Sequence, residues 1–160
     1  MTEAENRNQM MAALGRVPSG LFVLTVTHGD AETGMLASWV QQCSFDPPQV
    51  SVALRRDREI NAWLTTGAAF VLNILDDSQT DMIVHFGRGF GLDAPAFTDL
   101  DVDRSGTGPV LREALAYLDC RVVTRCAVGD HDLLIARLVG GRVLSESHPM
   151  VHIRKTGAHY

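Results

Sequence analysis

Gln42, Cys43 and Ser44 close a run, MLASWVQQCSF at 35–45, whose earlier positions Ala37 and Ser38 are small. Small side chains let a flat ligand approach a strand backbone, and polar groups inside a strand then have a partner to serve. The same pattern also describes a mixed-polarity edge strand. Arg55, Arg56 and Arg58 follow, at the end of the next strand and the start of a helix. Arginine beside a helix N-terminus is a ready anion site, and such a run is equally a solvated charged face. His131 follows Gly129-Asp130 in a turn between two strands. His148 and His152 share a strand face, but no third ligand accompanies them, so no metal site is assigned. Cys120 and Cys126 lie on one strand, too far apart at roughly 3.3 Å per residue to hold one ion, and read as buried structural thiols. Gly87-Arg88-Gly89-Phe90-Gly91 echoes a dinucleotide loop, yet it follows a helix where that fingerprint needs a strand, and reads as a flexible loop.

The elements that must position these residues follow from periodicity and turn chemistry. Met10, Met11 and Leu14 at helical spacing, stopped by Gly15, predict a short first helix. Strands are predicted over 20–27, 35–45 and 49–55, with a turn in HGDAETG and a stop at Asp46-Pro47-Pro48. A helix is predicted over 57–66, capped by Asp57, then a strand over 69–75 and a helix over 78–86 capped by Ser78. Residues 87–109, rich in Gly, Asp and Pro, read as a long loop. Two long strands, 115–128 and 131–145, turn at Gly129-Asp130, and a last strand spans 150–154. In the first long strand, Leu118 to Val128 by twos share one face. Six or seven strands joined mostly by hairpins predict a mainly β fold, an antiparallel β-barrel with peripheral helices, in one domain over 1–160.

Composition narrows the function classes. The 160 residues carry a net charge of −5, and 13 of the 14 basic residues are Arg, with no basic stripe for nucleic acid. No apolar run reaches the roughly 18–20 residues of a membrane helix. The polar, acidic start lacks the pattern of a signal peptide, and an odd set of three cysteines fits a reducing cytoplasm. A chain of this length does not accommodate a full Rossmann domain beside a second catalytic domain.

The motifs GMLASWVQQCSFDPP (34–48), RVPSGLFVLT (16–25), FVLNIL (70–75), GPVLREALAYLDCRV (108–122) and GDH (129–131) occur together in this order. In this the chain resembles the flavin reductase-like, FMN-binding split-barrel family, from about residue 12 onward. MLASWV, ALAYLDC and VHIRKTGAHY are similar, more narrowly, to the C-terminal flavin reductase-like module of cyanobacterial flavodiiron proteins. The resemblance implies a split barrel that binds FMN, with FAD the alternative, at the interface of a homodimer. By position it implies that Leu36, Ala37, Ser38 and Trp39 lie along the flavin, and that Gln42, Cys43 and Ser44 border the ring. It implies that Arg58 lies by the phosphate, that Asn73 is a cofactor-side residue, and that His131 is catalytic, near the ring and the nicotinamide. Leu36, Trp39 and Val40 depart from the Thr, Ser and Phe of the family pattern. Two hydroxyls are thereby lost, which suits an exchangeable flavin.

Three functions fit these residues. The first is an NAD(P)H-dependent flavin reductase, with NADH or NADPH as donor. The second is an FMN-binding electron-transfer protein reduced by a protein partner without nicotinamide activity. The third is a split barrel that binds another planar ligand, such as haem or a pyridoxal-type compound.

Overall fold

The computed structural model describes residues 1–160. The elements are α1 (Glu3–Leu14), β1 (Ser19–Gly20), β2 (Phe22–His28), β3 (Ala31–Ala37), β4 (Val40–Phe45), β5 (Pro48–Arg55), a 3-10 turn (Glu59–Ala62), β6 (Ala69–Ile74), α2 (Thr80–Gly87), β7 (Val102–Asp103), β8 (Val110–Leu111), β9 (Ala116–Val128), β10 (His131–Val143) and β11 (Val151–His152). Seven strands form one sheet in the order β3-β2-β6-β9-β10-β5-β4, each pair antiparallel. β3 and β4 are its two edges, yet only Ser38 and Trp39 join them. Laid flat, edges six strand spacings apart would be roughly 29 Å from each other, at about 4.8 Å per spacing. Two residues cannot bridge that, so the sheet must curl until its edges meet. The ladder stays open at this seam, which is what splits the barrel.

Alternation along β2 explains why its apolar residues fall on both faces. Leu24 and Val26 point into one buried cluster with Val52, Leu54, Phe70, Leu72, Cys120 and Leu134, the barrel interior. Val23 belongs to a second cluster with Leu21, Leu75, Met82, Phe86 and Phe97, beneath α2 and the segment that follows it. A strand covered on both faces is mostly apolar, and its one buried polar residue, Thr25, donates its hydroxyl to the Pro109 carbonyl.

Several expected elements differ. The single strand over 35–45 is two, broken at Ser38-Trp39 by the seam. The HGDAETG turn is confined to Gly29-Asp30, where Gly29 has φ 59°, and Ala31 onward pairs with β2. The helix over 57–66 reduces to the Glu59–Ala62 turn, because Ile60 and Leu64 are drawn into the barrel core. Asp57 caps nothing and instead pairs with Arg55 at 2.8 Å. Ser78 does not cap α2 either; its hydroxyl donates to Asp76, and Gln79 holds the cap position. Residues 87–109 are packed rather than loose: Phe90 and Phe97 pack around Phe86, and His85 Nε2 lies 2.8 Å from the Ala96 carbonyl. In β9 the register shifts between Val122 and Thr124, so the alternation fails there. Cys120 is buried but Cys126 is exposed, which corrects the pairing of both as buried thiols. Burial, aided by Asp119, pushes the Cys120 thiol up to about 12, so it is inert.

Candidate functional site

The seam opens onto a cavity of about 270 Å³. Met35, Leu36, Ala37, Ser38 and Trp39 form one wall, at the point where the chain crosses from β3 to β4. Ala53, Leu54 and Arg55, at the end of β5, with Arg58 just beyond, form a second. α2 closes the floor with Ile83, Phe86 and Gly87, while His152 and Tyr160 come from the end of the sequence. Ala37 and Ser38 are buried, and their short side chains keep the seam backbone close to the cavity.

The polar rim is cationic and aromatic. Arg58 forms no ion pair in this structure, whereas Arg55 is held by Asp57. Gly89, whose φ is 73°, makes room for Arg58: a Cβ there would sit 3.2 Å from its Nη1. Trp39 is surrounded on several sides. His131 lies against it with ring centroids 4.6 Å apart, Tyr160 at 5.2 Å, and the Arg154 guanidinium at 5.0 Å over the ring. Arg154 Nη1 is buried with no hydrogen-bond partner, a donor that a bound acceptor would satisfy. His131 is buried; its Nδ1 lies 2.6 Å from Asp130 Oδ1 and its Nε2 lies 2.6 Å from the Tyr160 hydroxyl. The hydrogen bond from His131 holds the Asp130 carboxyl below its ordinary range. Beside them, Asp132 accepts from Arg125 and Arg56, which keep it ionised and tie β10 to β5 and β9. Burial raises the Tyr160 phenol, opposed by Arg58, Arg55 and Arg154.

The expected site residues divide into three groups. Leu36, Ala37, Ser38, Trp39 and Arg58 line the cavity. His131 stands one layer behind it, against Trp39 and Tyr160. Gln42, Cys43, Ser44 and Asn73 lie outside its walls. Gln42 and Cys43 are exposed on the edge strand β4, where a register shift at Cys43 interrupts the pairing with β5. Asn73 is fully buried, its Oδ1 accepting from Leu111 N at 2.8 Å and its Nδ2 donating to the Val23 carbonyl at 3.1 Å. Its hydrogen-bonding groups are therefore committed within the protein. Tyr160, Arg154, Ile83 and Phe86 were not expected at the site, and His152, Gly87 and Gly89, weighed for a metal pair and a dinucleotide loop, come to it in another role. Their only signal was the closing VHIRKTGAHY motif and the glycine run, neither of which shows where the chain folds back.

A curled antiparallel sheet, split at a seam that opens onto an apolar slot with the unpaired Arg58 in its wall, defines a class of split β-barrel. Comparison with known proteins gives the class its family. The family described as "Flavin reductase like domain" matches residues 14–158. The putative diflavin flavoprotein A 6 of Nostoc sp. (strain PCC 7120) is 38% identical over 162 residues, covering 99% of this chain and 28% of that protein. The diflavin flavoprotein A 1 of Synechocystis sp. (strain PCC 6803) is 38% identical over 151 residues, covering 92% of this chain and 26% of that protein. This chain thus spans about a quarter of the length of the curated relatives it matches. Among solved structures, the NADH:FAD oxidoreductase SgcE6 of Streptomyces globisporus superposes with a TM-score of 0.84 at 22% identity, covering 97% of this chain and 92% of that one. The flavin reductase PheA2 gives 0.74 at 26% identity, covering 97% and 95%. The chain belongs to the flavin reductase-like domain family and has its split-barrel fold. It is homologous to a module of the cyanobacterial diflavin flavoproteins.

Proposed function

We propose that this chain is a flavin reductase that binds FMN, with FAD the alternative, and moves hydride to it from NADH or NADPH. The observation that carries this reading is the seam cavity: an apolar slot bordered by aromatic rings, with the unpaired Arg58 in its wall and the unsatisfied Arg154 Nη1 over Trp39, one of the lining rings. At about 270 Å³ it lies near the lower bound of ligand pockets, roughly 300 Å³, and so suits a ring better than a whole dinucleotide. A neighbouring fold, SgcE6, was solved in complex with NAD and FAD fragments, which supports the same class of ligands here.

The bound flavin supplies the electron-accepting chemistry. The protein's part is to hold and align. Leu36, Ala37, Leu54 and Ile83 exclude water from the slot, and Ser38 places a hydroxyl at the seam. Arg58 pairs with the phosphate, a charge-assisted contact. Trp39, packed against Arg154, His131 and Tyr160, is held in place as part of the cavity wall. Gln42, Cys43 and Ser44 stand beyond the slot, where a larger ligand or a second subunit would meet them. A shallow nicotinamide site on a small barrel needs no Rossmann fingerprint. The second reading, an FMN-binding electron carrier reduced by a protein partner, is favoured by one observation: the relatives carry this module within proteins about four times longer.

The test is flavin titration by fluorescence, followed by oxidation of NADH and NADPH with FMN present. Wild-type protein should bind FMN and consume one or both nicotinamides. Arg58→Ala should weaken FMN about tenfold while leaving riboflavin, which lacks the phosphate, unaffected. FMN that binds but is reduced only by a ferredoxin-type partner selects the second reading. Absence of flavin binding rejects both.

A further inference from the structure

His131 is the residue expected to meet the ring or the nicotinamide, but the structure engages both of its nitrogens elsewhere. The Asp130 carboxylate can only accept, so the hydrogen between them sits on Nδ1. When the imidazole is neutral, Nε2 then accepts the hydrogen of the Tyr160 hydroxyl. His131 does not line the cavity; Tyr160 does. The polar function offered to a ligand at this wall is therefore the phenol oxygen, with its hydrogen turned toward His131 and its lone pairs free. The groups that face the phenol are Arg55 and Arg58 from the end of β5 and beyond, Arg154 from the strap of residues 153–160 that follows β11, and Asp130 from the turn. Three of these are cations, which can neither accept from a ligand N–H nor compete for the phenol's hydrogen.

The position of Tyr160 is built. β11 pairs with β1, the Arg154 amide donates to the Gly15 carbonyl at 3.1 Å, and the Gly157 amide donates to the Met11 carbonyl at 2.6 Å. Gly15 is the only residue type that fits beneath this strap, since a Cβ there would lie 2.7 Å from Thr156 N.

We propose that Tyr160 is the ligand-contacting residue of the Asp130–His131–Tyr160 chain. It accepts a hydrogen bond from an amide or imide N–H on the edge of a planar ring. His131 and Asp130 are positioning residues that hold the phenol hydrogen away from the ligand. The inference rests on the flavin reductase reading and narrows it. Two sources carry this chemistry, the ring imide of a flavin at N3 and the carboxamide of a nicotinamide.

Tyr160→Phe keeps the aromatic ring and removes the hydroxyl. Two ligand pairs discriminate the sources: FMN against its N3-methyl derivative, and NADH against its acetylpyridine analogue, which lacks the amide N–H. Wild-type protein should prefer the N–H member of one pair about tenfold. Tyr160→Phe should bring that ratio near unity, and the pair that responds names the source. In ligand-free protein, nitrogen NMR of His131 should show Nδ1 protonated. In Tyr160→Phe, Nε2 should move toward a free imidazole nitrogen with Nδ1 unmoved. FMN binding with both ratios unchanged by the substitution, or an Nε2 signal indifferent to it, overturns the proposal while leaving the flavin reading intact. Loss of all flavin and nicotinamide binding in the wild type overturns both.

Discussion

Asn73 illustrates how a residue can be placed by likeness in one role and by geometry in another. The resemblance put it on the cofactor side. The structure buries it completely, with its carbonyl holding Leu111 N and its amide shared among Val23 O, Thr25 Oγ1 at 3.3 Å and Pro109 O at 3.4 Å. It pins β8 and the residue before it to the barrel wall. Asn73→Ala strands several buried groups at once and should remove about 2–3 kcal/mol of stability. Urea unfolding measures this, and FMN affinity of the folded variant should stay within about twofold of wild type, less than one hydrogen bond. Loss of affinity at full stability would return Asn73 to the ligand. Other residues were legible because their character is local. The short side chains of Ala37 and Ser38 announce a close backbone approach, and Arg58 announces a charge near the end of a strand. Trp39 was legible as a departure, but its companions were not. His131, Arg154 and Tyr160 reach it through folding alone, and no spacing along the chain encodes that.

At the scale of elements, strands were readable wherever one face alternates or both faces are apolar, and the β9–β10 hairpin declared itself through Gly129-Asp130. The seam did not. No glycine or proline marks Ser38-Trp39, and apolar character runs through it, so one strand was expected where the barrel has two edges. The helix over 57–66 failed because Ile60 and Leu64 serve the core better in a tight turn than on a helix face. The entry to α2 offers a measurement. The hydroxyl of Ser147 and the hydroxyl and amide of Ser78 pull the Asp76 carboxyl down to about 2. A carboxyl lower in the folded state than its ordinary 3.8 stabilises above that value and loses its contribution as pH falls toward about 2. Asp76→Asn should be less stable at neutral pH, and its unfolding free energy should vary less than that of wild type between about pH 5 and 2. Denaturant titrations across that range check it; parallel curves would refute it. The same turn ties Asp77 N to the His148 carbonyl and Met150 N to the Leu75 carbonyl, so it registers α2 against the strap root.

At the scale of the molecule, the β9–β10 hairpin outgrows its neighbours. Of β9, only Ala116–Arg121 pairs with β6, and of β10, only His131–Arg137 pairs with β5. Beyond them Val128 and Val139 stand about half exposed, at 54% and 49%. Apolar side chains on an uncovered hairpin fit a two-fold association, the commonest closed symmetry. We expect sedimentation equilibrium to show a dimer of the 17.4 kDa chain, and Val128→Glu with Val139→Glu to shift it toward monomer. A wild-type monomer that binds FMN fully would mean that one copy suffices for the site. The fold class was accessible from strand count and hairpin connections, whereas curvature was not, because it is imposed by joining two distant edges through two residues.

The first helix, α1, buries none of its own residues, so by itself it contributes little to holding the barrel together. Its last turn is nevertheless the mooring for the segment that sets Tyr160 over Trp39, through Met11 and Gly15. Drift in a stretch of sequence that never meets a ligand will therefore be felt in the slot. Variation among related chains at positions 11–15 ought to track how tightly each grips its ring.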